Sequence, residues 1–492
     1  MTVATQEAPK GAGPYASLVP LRHRRVAGRV LLTNPWGDWA AVTPEDFARL
    51  QRDPEALRAE LPRAFYRDTV DREALVARAR EKHRFLRAGP NLHILVVTLR
   101  CNQTCVYCHA SRAPMDRQGY DMTPETARRA VDLALASSSP GITLEFQGGE
   151  PLAAFDVVRE AIEYALQRNA TMGKSLGFTL VTNLSLMDDD KLDYLVSRRV
   201  QLCTSVDGPA ALHDRQRRLH GGSAHAEAAG WIRRINARYA ELGLDPDLYR
   251  VEALLTTTRE ALAHPRELVD TYAELGCRAI YLRPVDPFGF AARAGGRVGY
   301  PREAFLAFYR EALEHILALN RQGVPMIERF AAIFLTKVLT DSDPNFLDLR
   351  SPCGAGIGQV AYNHDGGIYT CDEGRMLADA GDPLFRIGHV EGSTYSSLVN
   401  HPTVRALTVV SNLDAQPGCV DCAYRPYCGV CPVYNHAAQG DVHGRMPESP
   451  WCATHRGILD LLFEKLAEGD PETLALFARW TTVRPRTHYV HG

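Results

Sequence analysis

Between Asn91 and about Pro287 the chain alternates, six times over, a short β-branched apolar run with a stretch of helical character, and no other feature narrows the possible folds so far. The strand-like runs are 93–99, 142–146, 177–181, 201–206, 249–255 and 278–283, with amphipathic stretches such as 123–136, 155–167, 191–199 and 225–242 between them. Strands that are each followed by a helix need crossover connections, and crossovers build a parallel sheet with helices packed outside it. The expected class is therefore α/β, a partial TIM-type (β/α)6 barrel. Residues 302–340 read as two helices rather than two further repeats, so the series stops at six.

The first strand runs directly into Arg100-Cys-Asn-Gln-Thr-Cys-Val-Tyr-Cys-His109, which puts Cys101, Cys105 and Cys108 on a loop at a strand's carboxyl end. Active sites of parallel barrels are built there. Three thiolates on one loop suit an iron–sulfur cluster or a metal, and they leave one coordination position for a ligand that is not protein. A structural zinc loop without its fourth ligand is the plainer alternative. The second strand ends in Gln147-Gly148-Gly149-Glu150-Pro151, where paired glycines allow close backbone approach and Glu150 can accept from a cation; an ordinary tight turn would use the same residues.

Composition restricts the partners. With a net charge of -2 and 45% hydrophobic residues, the chain describes a globular protein without the basic excess that nucleic acid or a membrane surface demands. No apolar run approaches the ~18 residues of a membrane span, and the N-terminus lacks a signal core, so the reading is cytoplasmic. In a reducing compartment, clustered cysteines more often bind metal than pair. Of the twelve, three lie at 101–108 and seven between Cys353 and Cys452, while Cys203 and Cys277 stand alone as small buried thiols.

The C-x3-C-x2-C spacing, with Tyr107 before the third Cys and Gly148-Gly-Glu150 closing the next strand, resembles the radical S-adenosylmethionine (SAM) superfamily. That resemblance implies a 4Fe-4S cluster on Cys101, Cys105 and Cys108 whose fourth iron binds SAM, and assigns Gly148, Gly149 and Glu150 to the SAM amino group. It extends to Asn183, Ser205 and Asp207 at the next strand ends, to Arg217 for the SAM carboxylate, and to Leu254 near the adenine. A surface charge for Arg217 and core packing for Leu254 are the alternatives. Cys353, Cys371, Cys419-x2-Cys422-x5-Cys428-x2-Cys431 and Cys452 resemble the SPASM domain of two auxiliary 4Fe-4S clusters. Family pairing gives Cys419, Cys422, Cys428 and Cys452 to one cluster and Cys353, Cys371 and Cys431 to the other. The family usually has three residues where Gly429-Val430 supplies two, which puts ligation by Cys431 in question, and its cluster lacks a fourth Cys. Asp372 matches a proton acceptor of sulfatase-maturing members, with a structural cap as the alternative. A zinc ribbon is the rival for the C-terminal set.

Before residue 91, three short extended segments (18–21, 29–33 and 39–42) precede helical patterns starting at Thr43-Pro44 and running over about 54–66 and 71–86. This resembles the winged-helix-like peptide-recognition module of enzymes that modify ribosomally made peptides. The expected organisation is 1–14 disordered, 15–90 leader-recognition module, 91–340 radical SAM partial barrel, 341–460 SPASM domain, and 461–492 C-terminal helix and tail. Together these imply a radical SAM/SPASM peptide maturase, most like those of His-Xaa-Ser systems. It would use three 4Fe-4S clusters and SAM, bind a ribosomally synthesised precursor peptide, and take electrons from a flavodoxin- or ferredoxin-type reductant. Cyclophane-forming maturases, anaerobic sulfatase maturases and a non-catalytic cluster scaffold are the rivals.

Overall fold

In the computed structural model, which describes residues 17–344 and 346–492, the N-terminal part begins with an antiparallel sheet of β1 (Arg22–Val26), β2 (Arg29–Thr33) and β3 (Trp39–Val42). The segment 1–14 lies outside the described residues. Helix Pro44–Arg52 follows, with Thr43 capping the Asp46 amide and proline in the first turn. A separate small core of Val30, Leu32, Leu50, Leu57, Phe65 and Tyr66 holds this part together. Two expectations need correction. Residues 18–21 are not a strand; Leu18 makes only an isolated bridge to Tyr66, and the strand is the next segment, whose four charged or polar residues hid it. Residues 54–66 form turns and one short 3-10 helix, Arg63–Phe65, because Pro62 interrupts the apolar i, i+4 spacing of Leu57, Leu61 and Phe65.

The main sheet contains β4 (Leu92–Thr98), β5 (Gly141–Gly148), β6 (Ser175–Val181), β7 (Val200–Ser205), β8 (Glu252–Thr257) and β9 (Leu282–Pro284), all parallel and adjacent in chain order. β4 is buried on both faces along most of its length, as a central parallel strand should be. Helices Pro124–Leu135, Phe155–Met172, Asp189–Ser197, Ala224–Glu241 and Pro265–Glu274 fill the crossovers. In the first of them Ala127, Ala130, Val131 and Ala134 make the buried stripe. The sixth strand is shorter than expected: Ala279–Ile280 pairs with Ile327–Glu328, and the main sheet resumes only at Leu282.

The sheet does not end at β4. β10 (Gln359–Tyr362), from the cysteine-rich C-terminal part, pairs with it in parallel, Gln359 against Leu92 and Tyr362 against Leu95. β11 (Gly367–Tyr369) and β12 (Arg386–His389) continue antiparallel. At the other extremity of the chain, Val490–His491 returns to pair with the start of β6. The N-terminal part rests on the C-terminal one: Arg24 donates to Asp460 at 2.6 and 2.7 Å, the Thr33 hydroxyl donates to the Ala423 carbonyl, and Trp39 stands edge-on to Phe463. Among the described residues no helix is long and apolar enough to cross a membrane.

Candidate active site

The loop after β4 is held from several directions by backbone. Cys101 N–H donates to Ala113, Val106 N–H to Gln216, and Gln103–Cys105 pairs antiparallel with Arg217–Leu219. Phe290 N–H donates to the Cys108 carbonyl at 2.7 Å. That contact requires Gly289, which has φ +55° and whose added Cβ would lie 2.3 Å from the His109 carbonyl oxygen. Burial pushes the Cys105 thiol up to about 12 and raises Cys101 as well, with Glu150 adding to the latter. Thiols so displaced stay protonated unless a cationic centre stabilises the thiolate, and a metal cluster is such a centre. The donor set at this strand end therefore fits an iron–sulfur cluster.

Gly148 and Gly149 are dictated by the same loop. Added Cβ atoms would lie 2.2 Å from the Thr98 oxygen and 2.4 Å from the Leu99 and Arg100 oxygens, because Gly149 N–H and Glu150 N–H donate to Thr98 and Arg100. Glu150 is fully buried and accepts from Leu152 N–H (3.0 Å), the Thr182 hydroxyl (2.6 Å) and Asn183 N–H (2.7 Å). Burial outweighs these donors and lifts its carboxyl to about 7. Asn183 Nδ2 reaches the Asn102 side chain and lies 3.9 Å from Cys101 Sγ. Ser205 and Leu254 face each other in register on β7 and β8. Asp207 and Arg217, expected to meet a ligand, meet each other at 3.1 Å, and Asp207 also takes the Tyr107 hydroxyl at 2.6 and 2.8 Å. Arg217 lies over the Tyr107 ring, 3.9 Å from Cys105 Sγ, with its side chain only 13% exposed. The surface-charge alternative for Arg217 fails on that burial.

The C-terminal thiols form two groups. Cys419, Cys422, Cys428 and Cys452 line one cavity, and burial together with the three other thiols pushes Cys428 far up. Cys431, pushed up by burial and then by Cys353 and other neighbours, sits beside Cys353 and Cys371 despite the two-residue spacing after Cys428. Gly429 makes that spacing workable, since an added Cβ would lie 2.5 Å from the Asp348 carbonyl oxygen. Cys371 and Cys431 each cap a helix, accepting from Gly374 N–H and Tyr434 N–H. Among the described residues no three His, Cys, Asp or Glu are spaced to hold a single metal ion.

Asp372 is buried, and its Oδ1 takes both Nε and Nη2 of Arg375 at 2.9 and 2.7 Å. Sequence reasoning missed the charged set beside it. Arg283 and Asp286 stand 3.6 Å apart, and burial lifts Asp286 and Asp348 to about 6 and Glu145 and Glu373 to about 7. Only a carboxylate adjoining a cysteine motif, as Glu373 does, carried a signal in the sequence.

Residues 95–239 match the family model described as the radical SAM superfamily. The protein is an enzyme that carries a radical SAM domain, and with that domain go a 4Fe-4S cluster and SAM. An uncharacterized protein of Methanocaldococcus jannaschii is 29% identical over 115 residues, 23% of this chain; the match spans only 38% of that relative's own length. The serine-type anaerobic sulfatase-maturating enzyme of Klebsiella aerogenes is 24% identical over 356 residues, 70% of this chain and 81% of the relative. Among solved structures, anSMEcpe with bound AdoMet superposes with a TM-score of 0.63 at 17% identity, covering 79% of this chain and 98% of that one. Streptococcus suis SuiB bound to precursor peptide SuiA gives 0.54 at 13%, covering 88% and 99%. At these identities the structural likeness shows the fold.

Proposed function

We propose that this enzyme oxidatively modifies a ribosomally synthesised precursor peptide, cross-linking side chains after a hydrogen atom is removed by a 5′-deoxyadenosyl radical. The observation that carries the reading is the presence of three separate thiol groups, one at the end of β4 and two in the C-terminal part, which is joined to β4 through β10. Bound SAM supplies the radical chemistry. In this reading Glu150 and the strand ends at Asn183, Ser205 and Leu254 would hold SAM, and the C-terminal thiols would hold two auxiliary clusters, which would supply a one-electron acceptor. Asp372 receives a proton through Oδ2, outside the Arg375 pair, and residues 15–90 bind the peptide's leader. The peptide-bound SuiB neighbour supports a peptide substrate.

The serine-type sulfatase-maturating relative favours a second reading, a sulfatase-type maturase that forms formylglycine. Co-expression with candidate precursor peptides, drawn from any small open reading frame found beside the gene, separates the two. The proposal expects a peptide lighter by two hydrogens per modification, with fragment ions missing between the joined residues, and no product from the Cys101/Cys105/Cys108→Ala triple variant. A carbonyl product on a sulfatase-derived peptide, without any cross-link, would establish the second reading instead.

A further inference from the structure

A cleft of about 830 Å³ opens at the surface beside the triad loop, walled by Thr104, Cys105 and Val106 on one side. Its rim carries Arg215 and Arg218, around the chain that pairs with that loop, and Arg293 and Arg297 from the segment after Gly289. All four arginines are exposed. The acids nearby are largely committed: Glu260 pairs with Arg215 at 3.1 Å, and Asp214 accepts from Ser223 and His225 N–H. Arg218, Arg293 and Arg297 have no carboxylate partner among the described residues. This concentration of positive charge is local, because the chain as a whole carries 56 Lys and Arg against 58 Asp and Glu.

The triad loop has two different sides. Cys101 is buried toward Glu150 and Asn183, the side that the proposed SAM site occupies. Cys105 forms part of the wall of the arginine-rimmed cleft. An electron must reach this centre from outside without displacing the ligand on the other side, and in the cleft one of the triad thiols, Cys105, lines a surface opening ringed by exposed arginines. Electron carriers of low potential are typically acidic, and weak, rapidly exchanging complexes of this kind are oriented by charge more than by buried area.

We infer that the cleft rimmed by Arg218, Arg293 and Arg297 is the docking surface for an acidic one-electron carrier protein, which passes its electron to the cluster through the Cys105 side of the loop. The inference rests on the radical SAM reading. The carrier is oxidised by one electron and the cluster reduced by one; no bond forms or breaks and no proton crosses.

The probe is a flavodoxin, titrated against the full-length, iron-loaded protein by anisotropy or calorimetry. Affinity should fall steeply between low salt and about 0.5 M salt, where charges are screened within a few ångströms. The variant Arg218→Glu/Arg293→Glu/Arg297→Glu should bind at least about tenfold more weakly at low salt. It should lose flavodoxin-driven 5′-deoxyadenosine formation in proportion, while dithionite-driven formation stays unchanged. Equal affinity of variant and parent, or affinity indifferent to salt, overturns the inference, as does a variant that loses the precursor peptide but keeps flavodoxin. If the triple variant fails to fold, Arg297→Glu alone and the salt dependence of the parent decide. Failure of dithionite to drive SAM cleavage in the parent would refute the radical SAM reading, and the binding measurements still decide the docking surface.

Discussion

Replacing Gly149 by alanine tests whether the turn after β5 is fixed by backbone contact with the triad loop. The new Cβ would meet two carbonyl oxygens, of Leu99 and Arg100, both at 2.4 Å, and neither can rotate away as a side-chain tip could. Relieving the overlap separates the turn from the β4 end and lengthens the bonds from Gly149 N–H to Thr98 (2.7 Å) and from Glu150 N–H to Arg100 (2.8 Å). Two weakened buried hydrogen bonds cost about 1 kcal/mol each, and overpacking adds roughly 1–3 kcal/mol. A loss on the order of 3–5 kcal/mol is expected in urea denaturation of the iron-free protein. SAM binding by the reconstituted protein should fall as well, because the displaced backbone carries Cys101. Gly230 is the control: it lies in helix Ala224–Glu241 with nothing within 4 Å of an added Cβ, so Gly230→Ala should stabilise by about 0.5–1 kcal/mol. A Gly149→Ala loss below about 1 kcal/mol with unaltered SAM affinity would refute the close-approach argument.

Glu328 gives a pH prediction away from the thiols. It is fully buried, accepts from the Tyr309 hydroxyl and from Ala331 and Leu282 N–H, and burial still lifts it from 4.5 to about 7. Between those values the unfolded chain is ionised while the folded carboxyl keeps its proton, so stability falls as pH rises through the window, by on the order of 3 kcal/mol. Glu328→Gln should flatten the iron-free protein's stability between pH ~5 and ~7.5 relative to the parent, and an identical slope would disprove the assignment. Deleting residues 487–492 removes the buried Tyr489, which packs against Tyr239 and Tyr249, and the pairing of Val490–His491 with β6. A loss of about 3–5 kcal/mol is expected for the aromatic alone, read as a lowered Tm; an unchanged Tm would make the tail's return to the sheet energetically empty.

The parts of the fold legible in the sequence are those encoded locally. β4 can be found without any alternation of polar and apolar residues: Ile94–Val97 stands out as an unbroken apolar run because a central parallel strand is covered on both faces. The Thr43-Pro44 start is legible for a similar reason, since its cap lies within three residues. β1 was not legible, because its Arg-rich sequence spends Arg24 on Asp460, 436 residues away. Nor did the pattern show that β10 extends the sheet, since four buried residues carry no indication of which edge they will join. At the site, spacing ties Cys419 to Cys422, whereas Cys452 was grouped with them by family resemblance alone, and the fold brings it from helix Pro450–Glu468 into the same cavity. The mutual pairing of Asp207, Tyr107 and Arg217 was invisible because each member could equally have faced a ligand.

Gly148, Gly149, Gly289 and Gly429 share one physical cause. At each, backbone passes so close to a neighbouring loop that a Cβ would overlap main-chain atoms, and each of those loops holds or adjoins proposed cluster ligands. A thiol loop fixed in this way owes its position to main-chain contacts with the sheet and its connections, rather than to the cluster alone. The ordering entropy, about 1–2 kcal/mol per residue for the backbone, is then met during folding and need not be drawn from cluster binding. That division of labour suits a site where the metal must leave one coordination position to an exchanging ligand: a loop organised only by its metal would relax whenever that ligand left, whereas one held by the Phe290-to-Cys108 and Glu150-to-Arg100 bonds keeps its thiols in place.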